Sequence, residues 1–284
     1  MKLIIVSGLS GSGKTVALHT LEDLGYYCID NLPASLLAAL ASELKQLTHP
    51  VKRVAVGIDA RNLPHSLQQF SGVIDELDNQ GIHTDILFLT CETTTLLQRF
   101  SETRRPHPLR DGQLSLTETI DREQALLDPI ARRADLYIDT SRTTVHQLRD
   151  QVLMRMDQRS DNGLSLLFQS FGYKHGIPND ADFVFDSRCL PNPHWQPLLR
   201  PLTGRDPEVV AFLDGQPQVE EMYEHIRSFL STWIPQFERD NRSYLTTAIG
   251  CTGGQHRSVY LVERLAQYFR DRYPLVGARH REIS

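Results

Sequence analysis

No stretch of this 284-residue chain is apolar for long enough to cross a bilayer, and its start runs straight into a short apolar segment without a signal-peptide pattern. Cysteine is scarce. Cys28, Cys91, Cys189 and Cys251 are widely spaced and form no C-x-x-C pair, which argues against a zinc site or a disulfide framework and fits a reducing cytoplasm. Positive charge is not in excess either: 30 Lys and Arg against 35 Asp and Glu leave a net charge of −5. That removes any global electrostatic case for nucleic acid and leaves only a local basic patch. Internal repeats and low-complexity tracts are not visible. A cytoplasmic globular protein is expected, and on a prior of roughly 150 residues per domain it holds two domains.

What is present begins at Gly8-Leu9-Ser10-Gly11-Ser12-Gly13-Lys14-Thr15, which satisfies G-x-x-x-x-G-K-[ST], the phosphate-binding P-loop. Glycines let the backbone curl until successive N–H groups converge on a phosphate with no Cβ in the way. Lys14 can reach β- and γ-phosphate oxygens, and the Thr15 hydroxyl is placed for Mg²⁺. The apolar run Lys2–Val6 before the motif reads as a buried strand, and residues Val16–Glu22 after it read as a helix facing the phosphates with its N-terminus. The order strand, loop, helix is the one the mechanism needs.

The first half continues the rhythm of an α/β parallel sheet. Strands are expected at Tyr26–Asp30, Arg53–Asp59, Asp85–Leu89 and Asp135–Asp139, with helices over Ala34–Leu47, Leu67–Asn79, Thr94–Thr103, Leu116–Arg132 and Thr143–Met156. Asp30 and Asp59 end strands, where ligands bind in open parallel sheets. Asp59, in Asp59-Ala60-Arg61-Asn62, is read as holding Mg²⁺, directly or through water, as a Walker B residue does, with a turn-opening or helix-capping Asp as the alternative. Lys14 and Asp59 are the candidate catalytic residues, and Thr15 and Asp59 the candidate metal ligands. Arg99, Arg104, Arg105 and His107 follow the fourth strand, either as lid cations near a γ-phosphate or as a solvated helix end. The expected domains are 1–156 and 164–284, with a polar linker at 157–163 ending in Asn-Gly.

In the second half, strands are expected at Ser165–Phe171, Asp182–Asp186 and Ser243–Ile249, and a helix at Ser258–Asp271. Between the last strand and that helix lies Gly250-Cys251-Thr252-Gly253-Gly254-Gln255-His256-Arg257-Ser258. Cys251-x₅-Arg257-Ser258 is similar to the phosphate cradle of cysteine phosphatases, where backbone N–H groups, a helix N-terminus and a forked guanidinium bind a dianion. It would lower the Cys251 pKa. Gly250 stands where a phosphatase has His, and no general acid is marked, so phosphate binding is the reading, with a structural turn as its alternative. Lys174, His175, Arg188, Asn192 and His194 are candidate partners on neighbouring loops.

Together GLSGSGKT, YYCIDNLP at Tyr26–Pro33, Asp59–Asn62, FGYKHGIP, LPNPHW and AIGCTGGQHRSV resemble the RapZ/YvcJ family end to end. The resemblance implies a kinase-like P-loop domain joined to a second α/β domain with a phosphate-binding loop. It implies slow hydrolysis of ATP and GTP, with ATP on Gly8, Leu9, Ser10, Gly11, Ser12, Gly13, Lys14 and Thr15, GTP on Asp59, Ala60, Arg61 and Asn62, and Mg²⁺ as cofactor. It further implies an RNase adapter that binds a small regulatory RNA, presents it to an endoribonuclease and senses glucosamine-6-phosphate. The sugar phosphate would contact His194, Cys251, Thr252, Gly253, Gly254, His256, Arg257 and Ser258. RNA would meet Arg279, His280 and Arg281, a short basic cluster where RNA-binding relatives carry a lysine-rich tail. Nucleotides, an amino-sugar phosphate, the RNA with its nuclease and further copies of the chain are thus the expected partners. A small-molecule kinase is the alternative function, and a module with merely structural nucleotide a third.

Overall fold

A computed structural model describes residues 1–46, 51–62, 64–103, 105–156, 164–240, 242 and 244–283. The expected linker 157–163 and Arg104 lie outside the described residues. Contacts divide the chain into two compact units, Met1–Gln158 and Arg159–Ser284.

In the first unit the elements run β1 (Lys2–Gly8), α1 (Lys14–Asp23), β2 (Tyr27–Ile29), α2 (Leu37–Gln46), β3 (Arg53–Gly57), α3 (Pro64–Gln68), α4 (Phe70–Asn79), β4 (His83–Thr90), α5 (Thr93–Thr103), α6 (Leu116–Ala131), β5 (Leu136–Asp139) and α7 (Val145–Met156). All pairings are parallel, in the order β2-β3-β1-β4-β5. β1 is central and its residues Leu3–Gly8 are buried, because helices cover both faces of such a sheet. Leu3 and Ile5 join Val54, Val56, Leu37, Phe70 and Leu127 in one core; Ile4 and Val6 point to the other face. The chain leaves β1 for β2 and β3 on one side, then crosses to β4 on the other. A ligand crevice belongs at that switch point, beyond the carboxyl end of β1.

Two expected helices differ. Ala34–Leu36 is a 3-10 turn rather than the start of α2, since Asn62 Oδ1 takes the Ala34 N–H at 2.7 Å. The span Leu67–Asn79 is broken at Gln69, so α3 and α4 pack as separate pieces. β3 stops at Gly57, two residues short of Asp59, because Asp59 turns the chain.

The second unit comprises β6 (Ser165–Gly172), β7 (Phe183–Asp186), α8 (Pro207–Asp214), α9 (Pro217–Arg239), β8 (Tyr244–Cys251), α10 (Arg257–Arg270) and β9 (Val276–His280). Its parallel sheet has the order β7-β8-β6-β9. Three of these elements were not expected. α8 and α9 each open on Pro, which suits the first helical turn, and α9 buries Val219, Tyr223, Ile226, Leu230 and Ile234 along one stripe. β9 carries two residues of the expected basic cluster, Arg279 and His280: Val276–His280 pairs with Leu166–Ser170 of β6.

Candidate functional site

The loop after β1 is shaped by its glycines. Gly8 has φ +139°, and a Cβ there would lie 2.2 Å from Leu89 O. Gly13, at φ +106°, is the residue before α1, and a Cβ on it would meet Leu148 at 2.5 Å. Gly8 therefore excludes other residues for conformation and for space, and Gly13 for conformation, since the Leu148 side chain can yield. In the first turn of α1 the N–H groups of Lys14, Thr15 and Val16 have no acceptor within the helix; the first such bond runs from Ala17 N to Gly13 O at 3.1 Å. Those N–H groups and the positive end of α1 point into the loop. Ser12 Oγ is buried there with no hydrogen-bond partner.

Lys14 Nζ donates to Gly8 O at 2.7 Å and Leu9 O at 3.1 Å, holding its ammonium inside the curl. Burial lowers its pKa, opposed by the negative charges of Glu123, Asp59 and Asp30. A carboxylate that sequence analysis missed completes the loop. Glu123 of α6, fully buried, accepts Ser10 N–H at 2.9 Å and Ser10 Oγ–H at 2.6 Å. It also pairs with His107 Nε2 at 3.1 Å. His107 Nδ1 accepts Leu109 N–H at 3.1 Å, so the ring proton sits on Nε2 and is donated to Glu123. Burial pushes the Glu123 pKa up, but the bonds from His107 and Ser10 and the charge of Lys14 pull it below the ordinary carboxylate value. Arg99 grips the loop from α5, with Nη1 on Gly11 O at 2.9 Å and Nη2 on Thr140 O at 2.6 Å.

Asp59–Asn62 forms a closed turn, with Asn62 N–H on Asp59 O at 3.1 Å. Asp59 Oδ2 accepts Arg61 Nε at 2.8 Å and Nη2 at 2.6 Å, and Oδ1 accepts Arg61 N at 2.9 Å. Asn62 is buried and binds the backbone of Leu32 and Ala34; Ala60 is buried too. Thr15 is exposed on the first turn of α1 and fits Mg²⁺ as a hydroxyl ligand. Asp59 does not fit as a direct ligand while Arg61 occupies both its oxygens, and it fits as an outer partner through water. Among the described residues, no cluster of three or more His, Cys, Asp or Glu could hold a metal by itself.

In the second unit the loop after β8 is equally constrained. Cys251, buried at the end of β8, is 3.2 Å from Ser258 Oγ and accepts Gly254 N–H at 3.2 Å. Burial pushes this thiol up, yet the Ser258 hydroxyl and amide, Gly254 N–H and the Arg257 charge bring it below the ordinary value. Arg257 does not leave its fork open as expected. Nη1 donates to Arg188 O and Leu190 O at 2.9 Å each, and Nη2 to Thr252 Oγ1 at 3.3 Å, while buried Nε has no partner. The guanidinium thus ties loop 188–190 to the β8–α10 loop. His256 is buried against Leu199 O at 3.2 Å, and burial lowers its pKa. His194 is exposed, its ring 6.3 Å from that of His256. Thr252 is exposed and Gly253 half-buried, and a Cβ on Gly253 would lie 3.9 Å from Lys174 Nζ.

A family model of the RapZ-like N-terminal domain matches residues 1–160, and one of the RapZ C-terminal domain matches residues 164–284. The chain belongs to the RapZ family. Relatives include a nucleotide-binding protein of Nitrosococcus oceani, 56% identical over 284 residues and covering 100% of both chains. Another, from Alkalilimnicola ehrlichii, bears the same description and is 58% identical over 287 residues, covering 100% of this chain and 99% of its own. Among solved structures, shikimate kinase from Bacteroides thetaiotaomicron is similar at 14% identity and TM-score 0.36, over 53% of this chain and 96% of that one.

The basic segment of this RapZ-family chain is divided by its strand. His280 is buried, with Nδ1 2.7 Å from Ser170 Oγ and Nε2 3.0 Å from Glu263 Oε1. It faces the fold and is removed from the expected basic cluster. Arg279 reaches Gln169 Oε1 at 3.4 Å, and Arg281 reaches Gly176 O at 3.2 Å. No helix among the described residues is long and apolar enough to cross a membrane.

Proposed function

We propose that this protein binds ATP and GTP on the loop Gly8–Thr15 and hydrolyses them slowly, as a regulator rather than a metabolic catalyst. The observation that carries this is the left-handed Gly13 placed before the unpaired first-turn N–H groups of α1, at the end of the central strand. That arrangement supplies converging donors and positive charge for a triphosphate. Lys14 leaves the carbonyls of Gly8 and Leu9 for β- and γ-phosphate oxygens, and Arg99 keeps the curl in shape from Gly11. Thr15 would hold Mg²⁺ through its hydroxyl, with Asp59 an outer partner through water, and the ion would supply positive charge against the charge that develops on the phosphates. The Asp59–Asn62 turn follows Ile58, whose N–H meets Val6 O at 3.0 Å beside the end of β1, and on this reading it flanks the same site and contacts the guanine nucleotide.

The second unit, on this reading, takes an amino-sugar phosphate at the loop from Cys251 to Ser258 with His194. Gly254 N–H on the Cys251 sulfur at 3.2 Å and the neighbouring Arg257 support an electropositive loop, and Thr252, Gly253 and Lys174 provide its accessible rim. A small regulatory RNA, for presentation to an endoribonuclease, meets Arg279 and Arg281.

Equilibrium binding and turnover of ATP and GTP by the full-length protein, beside Lys14→Ala, test the central claim. The variant is expected to keep its circular dichroism and to lose binding and turnover together. A folded Lys14→Ala variant with unchanged nucleotide affinity and turnover overturns it. ADP release that appears only with an added acceptor would make the protein a kinase instead.

A further inference from the structure

A cavity of about 680 Å³ lies between the end of α5 and the start of α6, walled by Leu97, Phe100 and Leu116 and by Arg105, His107 and Arg110. Its size is that of a small-molecule site. Arg105 and Arg110 are exposed, and among the described residues neither guanidinium makes a hydrogen bond or ion pair. Two unneutralised guanidiniums beside an apolar wall suit an organic anion: the forks take a carboxylate or phosphate, and the wall takes an apolar body. The cavity also shares structure with the phosphate loop. His107 lines it and donates to Glu123, whose other bonds hold Ser10. Phe100 faces the His107 ring at 5.2 Å, and a Cβ on Gly11 would lie 3.7 Å from Phe100.

We propose that the α5–α6 cavity binds a small organic anion through Arg105 and Arg110, and that its occupancy reaches the phosphate loop through His107, Glu123 and Ser10. The loop from Arg105 to Arg110 carries both the cations and His107, so drawing the cations onto a ligand moves the donor that holds Glu123. Glu123 in turn sets where Ser10 lies. The binding half stands independently of the nucleotide reading, and the coupling half rests on it.

Phenylphosphonate serves as the probe and benzyl alcohol as its uncharged control, with full-length protein carrying ¹³C-labelled leucine methyls. Phenylphosphonate is expected to shift the Leu97 and Leu116 methyls saturably, and benzyl alcohol to leave them. The double variant Arg105→Ala/Arg110→Ala, altered only at exposed side chains, should bind about tenfold more weakly or worse. Lys14→Ala should bind as the wild type does. Saturating probe should change the affinity for a fluorescent ATP analogue by about fivefold, reciprocally, and Glu123→Gln should bind the probe without passing that change on. Shifts that survive in the double variant, or that vanish in Lys14→Ala, overturn the binding site. An unchanged nucleotide affinity at saturation overturns the coupling. If the wild type binds no nucleotide, the nucleotide reading and the coupling fall together, and the methyl shifts still decide the cavity.

Discussion

Ser10 and Glu123, 113 residues apart in sequence, are joined by two hydrogen bonds, from Ser10 N–H at 2.9 Å and from its hydroxyl at 2.6 Å. A fully buried carboxylate is tolerated because these two donors and His107 satisfy it. Glu123→Ala leaves buried His107 and half-buried Ser10 without their shared partner and should destabilise the protein by about 3 kcal/mol. Urea unfolding measures this, and an effect within error would show the contact to be dispensable.

The same carboxylate sets an acid limit. Its folded pKa lies below its unfolded value, so its contribution to stability is complete above about pH 4.3, the unfolded value, and is lost as pH falls through the folded one. The unfolding midpoint of the wild type should therefore drop at acid pH more steeply than that of Glu123→Gln. Parallel pH profiles would contradict the assignment.

Glycine at position 8 answers to two constraints and glycine at 25 to one. A Cβ at Gly8 meets the Leu89 carbonyl, whereas nothing lies within 4 Å of one at Gly25, where φ is +80°. Gly25→Ala should cost about 1 kcal/mol through conformation alone, and Gly8→Ala more than about 3 kcal/mol, with nucleotide binding lost. Equal losses in denaturant titrations would refute the steric part.

Alkylation tests the loop around Cys251. With the exposed Cys189 and the half-buried Cys28 replaced by Ser, the rate of iodoacetamide modification of Cys251 should rise through an inflection below the free-thiol value of about 8.5. Ser258→Ala removes a hydrogen bond to the sulfur and should move that inflection upward. An inflection at or above the free-thiol value in the parent protein would mean the loop is not electropositive.

On the edge strand β9, neighbouring basic residues should behave differently. Arg279→Ala/Arg281→Ala is expected to weaken binding of a structured small RNA and to flatten its salt slope by about 0.7 per lost contact. His280→Ala should instead destabilise the fold by about 2 kcal/mol, because Ser170 and Glu263 lose their shared partner. Filter binding across a salt series checks the first. An RNA affinity and slope untouched by the double variant would place RNA elsewhere.

Local chemistry was legible in the sequence wherever a residue's role depends on its near neighbours. The strand–turn–helix around Gly8, Gly13, Lys14 and Thr15 was readable because these residues are near neighbours in the chain, and so was the strand–turn–helix running through Cys251 to Ser258. β4, α5 and α10 fall within two residues of their expected bounds, since an apolar run or a helical stripe is a local pattern. α9 had such a stripe too, from Val219 to Ile234, so its signal was present though unread. Tertiary structure alone decided the rest. Glu123 sits in an ordinary amphipathic helix, and only the packing of α6 against the loop after β1 turns it into a partner for Ser10. Arg257 looked like an open anion fork until the fold brought the carbonyls of Arg188 and Leu190 within its reach. His280 read as part of a basic tail because burial on β9 depends on pairing with β6, 110 residues earlier, and no local spacing encodes a parallel pairing across that distance.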